Sequence, residues 1–296
     1  MTPVLAINNI TKFYGPIRAL NNVSFEVPEG CVFGILGPNG SGKTTLLGIV
    51  MDIIRPTSGS FQFFGSVPDA NMRKQIGTLL ETPNFYHYLS AERNLRIAAE
   101  IKGKGLDDID DVLKKVNLYE RRKSKFSTFS LGMKQRLAIA SCLLGDPHVL
   151  VFDEPTNGLD PVGIAEIRNL IIQLAREGKT IIMASHLLDE VEKVCTHVAI
   201  LKTGVLLTAG NVDEVLTNED IIEISSSDLS KLEEIIRQMN GYTNLKIAGS
   251  TLQLYYPAGS SHPDVINKHC FDHGVVLNQL QVKKKSLETK FFELTK

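Results

Sequence analysis

No stretch of this 296-residue chain approaches the roughly 18 apolar residues that a helical membrane span requires. Its opening, Met1-Thr-Pro-Val-Leu-Ala6, has neither the basic region nor the apolar core of a secretory signal, so the chain is expected in the cytosol. Cysteine is scarce and scattered: Cys31, Cys142, Cys195 and Cys270 form no C-x-x-C pair. That spacing argues against a structural zinc site and suits buried thiols in a reducing compartment. Neither sign of charge dominates. With 32 basic against 33 acidic side chains and a formal net charge of -1, nothing suggests a global attraction to nucleic acid, and none is expected as a partner. Apolar residues at 43% and charged residues at 22% place the chain among ordinary globular proteins, long enough for one large domain with a small one, or two medium ones.

What is present is a phosphate-binding pattern. Gly37-Pro38-Asn39-Gly40-Ser41-Gly42-Lys43-Thr44-Thr45 fits G-x-x-x-x-G-K-[ST]. The apolar run Cys31 to Leu36 precedes it, and Leu46, Leu47, Val50 and Ile54 follow at helical spacing. The expected context is strand, loop, helix over residues 44 to 54. Glycines let successive backbone N–H groups face phosphate oxygens, and the positive end of the helix adds to the attraction. In such a loop Lys43 reaches the terminal phosphates and the Thr44 hydroxyl ligates Mg²⁺.

Around this loop the chain alternates strands and helices. Val4 to Ile10 and Ala19 to Val27 read as antiparallel strands, with Tyr14 in the turn between them, where an aromatic ring packs more often than it binds. Ser60 to Phe64 and Ile76 to Leu80 read as further strands, and Ser90 caps a helix. Ile109 to Val116 marks an amphipathic helix whose end, Arg121-Arg122-Lys123, is expected to be solvated surface. Ser127 to Lys134 reads as a polar turn ending at Gly132, with a helix from Gln135 to Leu144. The apolar strand Val149 to Phe152 delivers Asp153 and Glu154 at its C-terminal end, beside the ligand crevice of a parallel sheet. A helix through Ile164 and Leu174 and a strand from Thr180 to Ala184 lead to Ser185-His186. After one more helix, a hairpin follows at residues 198 to 208. Near residue 210 the pattern changes, which divides the chain into domains 1–210 and 211–296. The second reads as βαββαβ, a ferredoxin-like α+β unit, with a closing helix at Leu287 to Leu294.

Together these motifs resemble the ATP-binding subunit of an ATP-binding cassette transporter, over residues 4 to about 210. The resemblance implies an α/β P-loop NTPase cassette with a mixed β core, an antiparallel β subdomain and a helical subdomain. It implies ATP and Mg²⁺ as cofactors, a head-to-tail homodimer or cassette heterodimer, and a separate transmembrane permease that holds the chain on the cytoplasmic face of the membrane. In the family's terms Gly37 to Thr45 is the Walker A loop and Val149 to Asp153 the Walker B strand. Asp153 then belongs to the Mg²⁺ shell and Glu154 is the catalytic acid that polarises water. Asn157 to Asp160 resembles the D-loop, His186 the switch histidine, and Tyr14 takes the adenine-stacking position. The signature segment departs from the usual Leu-Ser-Gly-Gly-Gln: it is Phe129-Ser130-Leu131-Gly132-Met133, keeping Ser130 and Gly132 as phosphate donors. Glu81 stands where the Q-loop glutamine is usual and would join the Mg²⁺ shell. Both departures are similar to the bacitracin-resistance and lantibiotic-immunity branch, which implies export of a drug, peptide or antibiotic. A ribosome-type cassette would carry two cassettes in one chain and a DNA-type cassette a long heptad insertion, and neither is present. A P-loop kinase or regulator would leave Ser130, Gly132, Asp160 and His186 unexplained as a set.

Overall fold

The computed structural model describes residues 3–80, 84–216, 219–257, 259–284, 287, 290 and 291. They form two compact units, Met1–Asn211 and Val212–Lys296. In the first, β1 (Leu5–Tyr14) and β2 (Ile17–Val27) pair as a hairpin. β1 runs four residues beyond the strand expected from the sequence, so Tyr14 ends a strand opposite Ile17 rather than sitting free in a turn. β3 (Val32–Leu36), buried throughout, leads to α1 (Lys43–Val50). This helix ends four residues earlier than its apolar spacing suggests. Asp52 turns left-handed at φ 58°, and Ile53 and Ile54 donate back to the Gly48 carbonyl. Ile54 thus folds over Gly48 and packs, partly buried, against the core at a helical interval without being helical.

β4 (Ser58–Phe63), the short α2 (Ala70–Arg73) and β5 (Ile76–Leu79) come next. α3 (Ala91–Lys102) starts where Ser90 Oγ accepts the Arg93 N–H, and α4 (Ile109–Lys115) follows. α5 (Leu131–Leu143) begins four residues before the expected start at Gln135. The polar segment is not a turn through Gly132 because Ser130 Oγ accepts the Met133 N–H and opens the helix there. β6 (Val149–Asp153), α6 (Pro161–Arg176), β7 (Thr180–Ser185), α7 (Leu188–Val194), β8 (His197–Lys202) and β9 (Val205–Asn211) complete the unit.

Two sheets result. One has the order β2-β1-β4, all antiparallel; the other runs β5-β6-β7-β3-β8-β9. In the latter all neighbours are parallel except β8 and β9. The parallel strands read as continuous apolar runs because both faces are covered. Phe33, Phe152, Leu150, Ile181 and Ile200 are fully buried, each contributing about 1.5–3 kcal/mol relative to exposure. One geometric fact follows for function: the ends of β3, β6 and β7 emerge along a single edge.

The second unit opens with α8 (Val212–Leu216) and then runs β10 (Glu219–Ser226), α9 (Leu229–Arg237), β11 (Asn244–Ala248), β12 (Thr251–Pro257), α10 (Pro263–Asp272) and β13 (Leu277–Lys284). Its sheet has the order β11-β12-β10-β13, every neighbouring pair antiparallel. Ile222, Ile224, Leu252 and Leu254 from the sheet pack against Leu232 and Ile236 of α9 and against Ile266 and Cys270 of α10. β13 starts at Leu277, and its Leu280 and Val282 stand opposite Ile224 and Ile222 of β10. The closing helix read at Leu287 to Leu294 lies largely outside the described residues. All four cysteines are free and buried. Burial pushes the thiols of Cys31 and Cys142 up to about 11 and raises those of Cys195 and Cys270 as well.

Candidate nucleotide site

The phosphate loop leaves β3 at Leu36, between β7 and β8. A side chain at Gly37 would place its Cβ 2.3 Å from Ser41 Oγ and 2.4 Å from the Leu201 carbonyl oxygen, so only glycine lets the loop close. Gly42, at φ 102°, takes a backbone conformation that side-chain-bearing residues avoid. It also lies against the Ala19 carbonyl. Gly42 is the N-cap of α1 and supplies no side-chain oxygen, whereas α3, α5 and α6 are capped by Ser90, Ser130 and Asp160. The first N–H groups of a helix have no intrahelical acceptor, so α1 keeps its positive end open to an anion.

Lys43 is buried, with Nζ donating to the Gly37 carbonyl at 2.8 Å and to that of Pro38 at 3.3 Å. The ammonium is thereby held above the loop. Ser41 is buried, and its Oγ has no hydrogen-bond partner among the described residues. Pro38, Asn39, Gly40 and Thr44 are exposed and Thr45 is half-buried.

On the same sheet edge β6 ends in the buried Asp153, and Glu154 follows at φ 49°. A left-handed glutamate is strained by roughly 1–2 kcal/mol. Its N–H donates to the Ala184 carbonyl of β7 at 3.0 Å, which fixes the turn. The carboxylate then spans two partners. Oε1 lies 3.6 Å from Lys43 Nζ, and Oε2 lies 2.8 Å from His186 Nδ1 and accepts the His186 N–H at 3.4 Å. With the Nδ1 proton directed at the carboxylate, the other ring nitrogen is the one left for a ligand. Lys43, Glu154 and His186, far apart in sequence, are thus one connected group.

The remaining expected residues lie apart from it. Tyr14 is on the antiparallel sheet, 44% exposed, with Lys12 Nζ 5.0 Å from its ring centroid. Ser130 and Asp160 are the N-caps of α5 and α6, the latter accepting the Gly163 N–H at 2.8 Å. A Cβ at Gly132 would meet nothing within 4 Å, and Leu131 lies beside Gly158. Among the described residues no hydrogen bond or ion pair joins Ser130, Gly132 or Asp160 to the phosphate loop. Glu81 lies outside the described residues.

Two features escaped the sequence. One is the Glu154–His186 contact. The other is Asn94, a buried amide on α3 that accepts the Tyr86 N–H at 2.8 Å and donates to the Tyr86 and Ser90 carbonyls at 3.1 Å each. It holds the 84–90 segment on a groove of about 370 Å³ lined by Phe85, Tyr86, Ile97, Ala98 and Ile101. A lone amide in an apolar helix face, four residues after a cap, was the available signal.

The cradle at Gly37, the uncapped start of α1 and the buried lysine fit a polyphosphate. The hydroxyl of Thr44 and the carboxylate of Asp153 are hard oxygen donors of the type Mg²⁺ takes. Strand, phosphate loop, helix and an acid–histidine pair along one parallel edge define a P-loop nucleotide hydrolase. The chain belongs to the ABC transporter family, as an ATP-binding cassette with ATPase activity: residues 20–157 match the family's model. It is 33% identical over 300 residues to the bacitracin transport ATP-binding protein BcrA of Enterococcus faecalis, covering 99% of this chain and 97% of the relative. It is 38% identical to the lantibiotic transport ATP-binding protein SrtF of Streptococcus pyogenes, covering 74% of this chain and 99% of the relative. Among solved structures, cbiO1 from Clostridium perfringens, part of the ABC transporter complex cbiONQ, superposes with a TM-score of 0.66 at 31% identity, over 73% of this chain and 91% of the other. A dimeric ATP-binding cassette in a post-hydrolysis state, bound to ADP and Pi, gives 0.63 at 27% identity, over 70% of this chain and 98% of the other.

Proposed function

We propose that this chain powers export of a peptide antibiotic or related drug through a separate membrane permease. The observation that carries the catalytic part is the Glu154 carboxylate, which lies between Lys43 and His186. Lys43 draws the terminal phosphates of ATP into the loop, and Tyr14 stacks on the adenine. Thr44 and Asp153 hold Mg²⁺, which when bound offsets charge on the phosphate oxygens. Glu154 orients the attacking water, and His186 reads the γ-phosphate through its free ring nitrogen while Glu154 fixes its tautomer.

Ser130, Gly132 and Asp160 serve the nucleotide of a second cassette docked head to tail. The exposed positions of Ser130 and Asp160 at the starts of α5 and α6, and the open space at the half-buried Gly132, support that reading. Glu81 belongs with the Mg²⁺ shell and the permease contact. The groove of Phe85, Tyr86, Ile97, Ala98 and Ile101, with Ile101 80% exposed, seats an apolar permease segment. No helix among the described residues is long and apolar enough to cross a membrane, which is consistent with peripheral attachment on the cytoplasmic face. The relatives named for bacitracin and lantibiotic transport support the substrate class.

Glu154→Gln should lower steady-state ATPase roughly 10²–10⁴-fold, leave ATP binding intact and abolish antibiotic resistance in cells that depend on this chain. Turnover near the wild-type rate removes Glu154 from the chemistry. Resistance unchanged by deletion of the chain overturns the proposed substrate class.

A further inference from the structure

Arg121-Arg122-Lys123 reads in sequence as a solvated helix exit, but folding gives it company. Lys123 and Lys125 meet Arg93 and Arg96 of α3 around a concave surface of about 530 Å³, which Tyr88, Ser90 and Glu92 complete. Four cations face one acid there. All four are exposed, and among the described residues none is drawn into an ion pair. In a chain of net charge -1 this is a local concentration of charge.

The surface lacks what a small anion needs. The first amides of α3 are already used, Ala91 N–H donating to the Ser124 carbonyl and Glu92 N–H to that of Arg122. The Ser90 hydroxyl accepts the Arg93 N–H. What remains is long, flexible side chains, which address a plane of many charges better than a single phosphate. Tyr86 and Tyr88, 52% and 68% exposed with ring centroids 6.0 Å apart, stand beside the cations. Rings with an apolar body and a polar tip favour the boundary between bilayer and water. The adjoining face of α3, through Asn94, Ile97, Ala98 and Ile101, lines the apolar groove.

We infer that the basic face formed by Arg93, Arg96, Lys123 and Lys125 is a contact surface for the anionic headgroups of the bilayer. The inference rests on the reading that the groove seats the permease, since docking there carries α3 to the membrane surface. The cassette then touches both permease and lipid through one helix.

The test is flotation of the full chain with vesicles of phosphatidylcholine alone or mixed with phosphatidylglycerol. Binding is expected only with the anionic lipid and should weaken as sodium chloride is raised. Replacing Arg93, Arg96, Lys123 and Lys125 by Gln should weaken it by roughly fivefold per cation removed, with the ATPase rate of the isolated chain unchanged. Replacing the exposed Lys74 and Lys268 by Gln should leave it intact. Equal binding to neutral vesicles overturns the inference, as does an equal loss in the Lys74/Lys268 variant. Displacement by inorganic phosphate beyond that by sodium chloride of equal ionic strength points instead to a small-anion site. If the fourfold variant fails, in uncharged detergent, to hold the membrane protein that co-purifies with the wild type, an acidic protein segment is the partner and the lipid reading falls. Ile101→Ser separates the two readings: it should weaken that co-purification and spare vesicle binding. Undiminished co-purification of Ile101→Ser, with vesicle binding kept, removes the groove and leaves the lipid surface standing.

Discussion

At Glu154 the backbone and the side chain pull in different directions. The left-handed φ of 49° suits glycine, yet the position carries the carboxylate that touches Lys43 and His186. Glu154→Gly should therefore melt at or above the wild-type temperature, with a gain of up to about 1 kcal/mol once the looser unfolded chain is counted, while hydrolysis is lost. Thermal unfolding and an ATPase assay read the two effects separately. A clear loss of stability would mean that the contacts to Lys43 and His186 outweigh the strain. Lys43, Asp153 and Glu154 can be singled out in the sequence because a phosphate loop and a strand-end acid pair are local patterns, whereas His186 is singled out only through the family resemblance. The joining of Lys43, Glu154 and His186 is not legible there, since it depends on β3, β6 and β7 being parallel neighbours, a tertiary fact that no local spacing encodes.

Among the elements, α5 carries two duties at one residue. Ser130 caps the helix through the Met133 N–H and, in the proposed dimer, offers its hydroxyl to phosphate. Ser130→Ala should cost about 1 kcal/mol of stability through the lost cap and lower ATPase activity. Ser130→Asp keeps the cap but opposes phosphate, so stability should hold while activity falls further. Urea midpoints set beside ATPase rates distinguish the duties, and a Ser130→Asp variant of full activity would leave the serine with the cap alone. The early start of α5 was hidden because Leu131-Gly132 looks like loop, and the position three after Ser130 holds Met133 rather than a reciprocating acid. The end of α1 is hidden for the converse reason, in that Ile54 has helical spacing but packs against the core through a reversed chain. The basic face on α3 could not be read, because Arg93 and Arg96 are distant in sequence from Lys123 and Lys125.

For the whole molecule, a break at Asn211 separates two units that each have a core. A fragment ending at Asn211 is expected to fold and to bind a fluorescent ATP analogue, because β9 already closes the parallel sheet's edge. An insoluble fragment would show that the second unit is needed for the first. Stability should also respond to alkali in one direction. Cys31 and Cys142 hold their protons up to about 11 in the folded chain and to an ordinary, lower pH when unfolded. Between about pH 9 and 11 the unfolded state therefore releases these two protons first, and the contribution of the two thiols to stability, constant below that window, declines through it. Urea midpoints across the range test this, with a shallower decline expected when both residues are replaced by Ala.

The burial of all four thiols also makes the chain a ready-made background for spectroscopy. Maleimide reagents attack thiolates at accessible sulfur, so a single cysteine introduced at the exposed Val162 can take a spin label or fluorophore with every native cysteine in place. If the proposed head-to-tail dimer forms, two labelled copies would report their approach and separation through each round of turnover, in a protein whose interior has not been altered to permit the measurement.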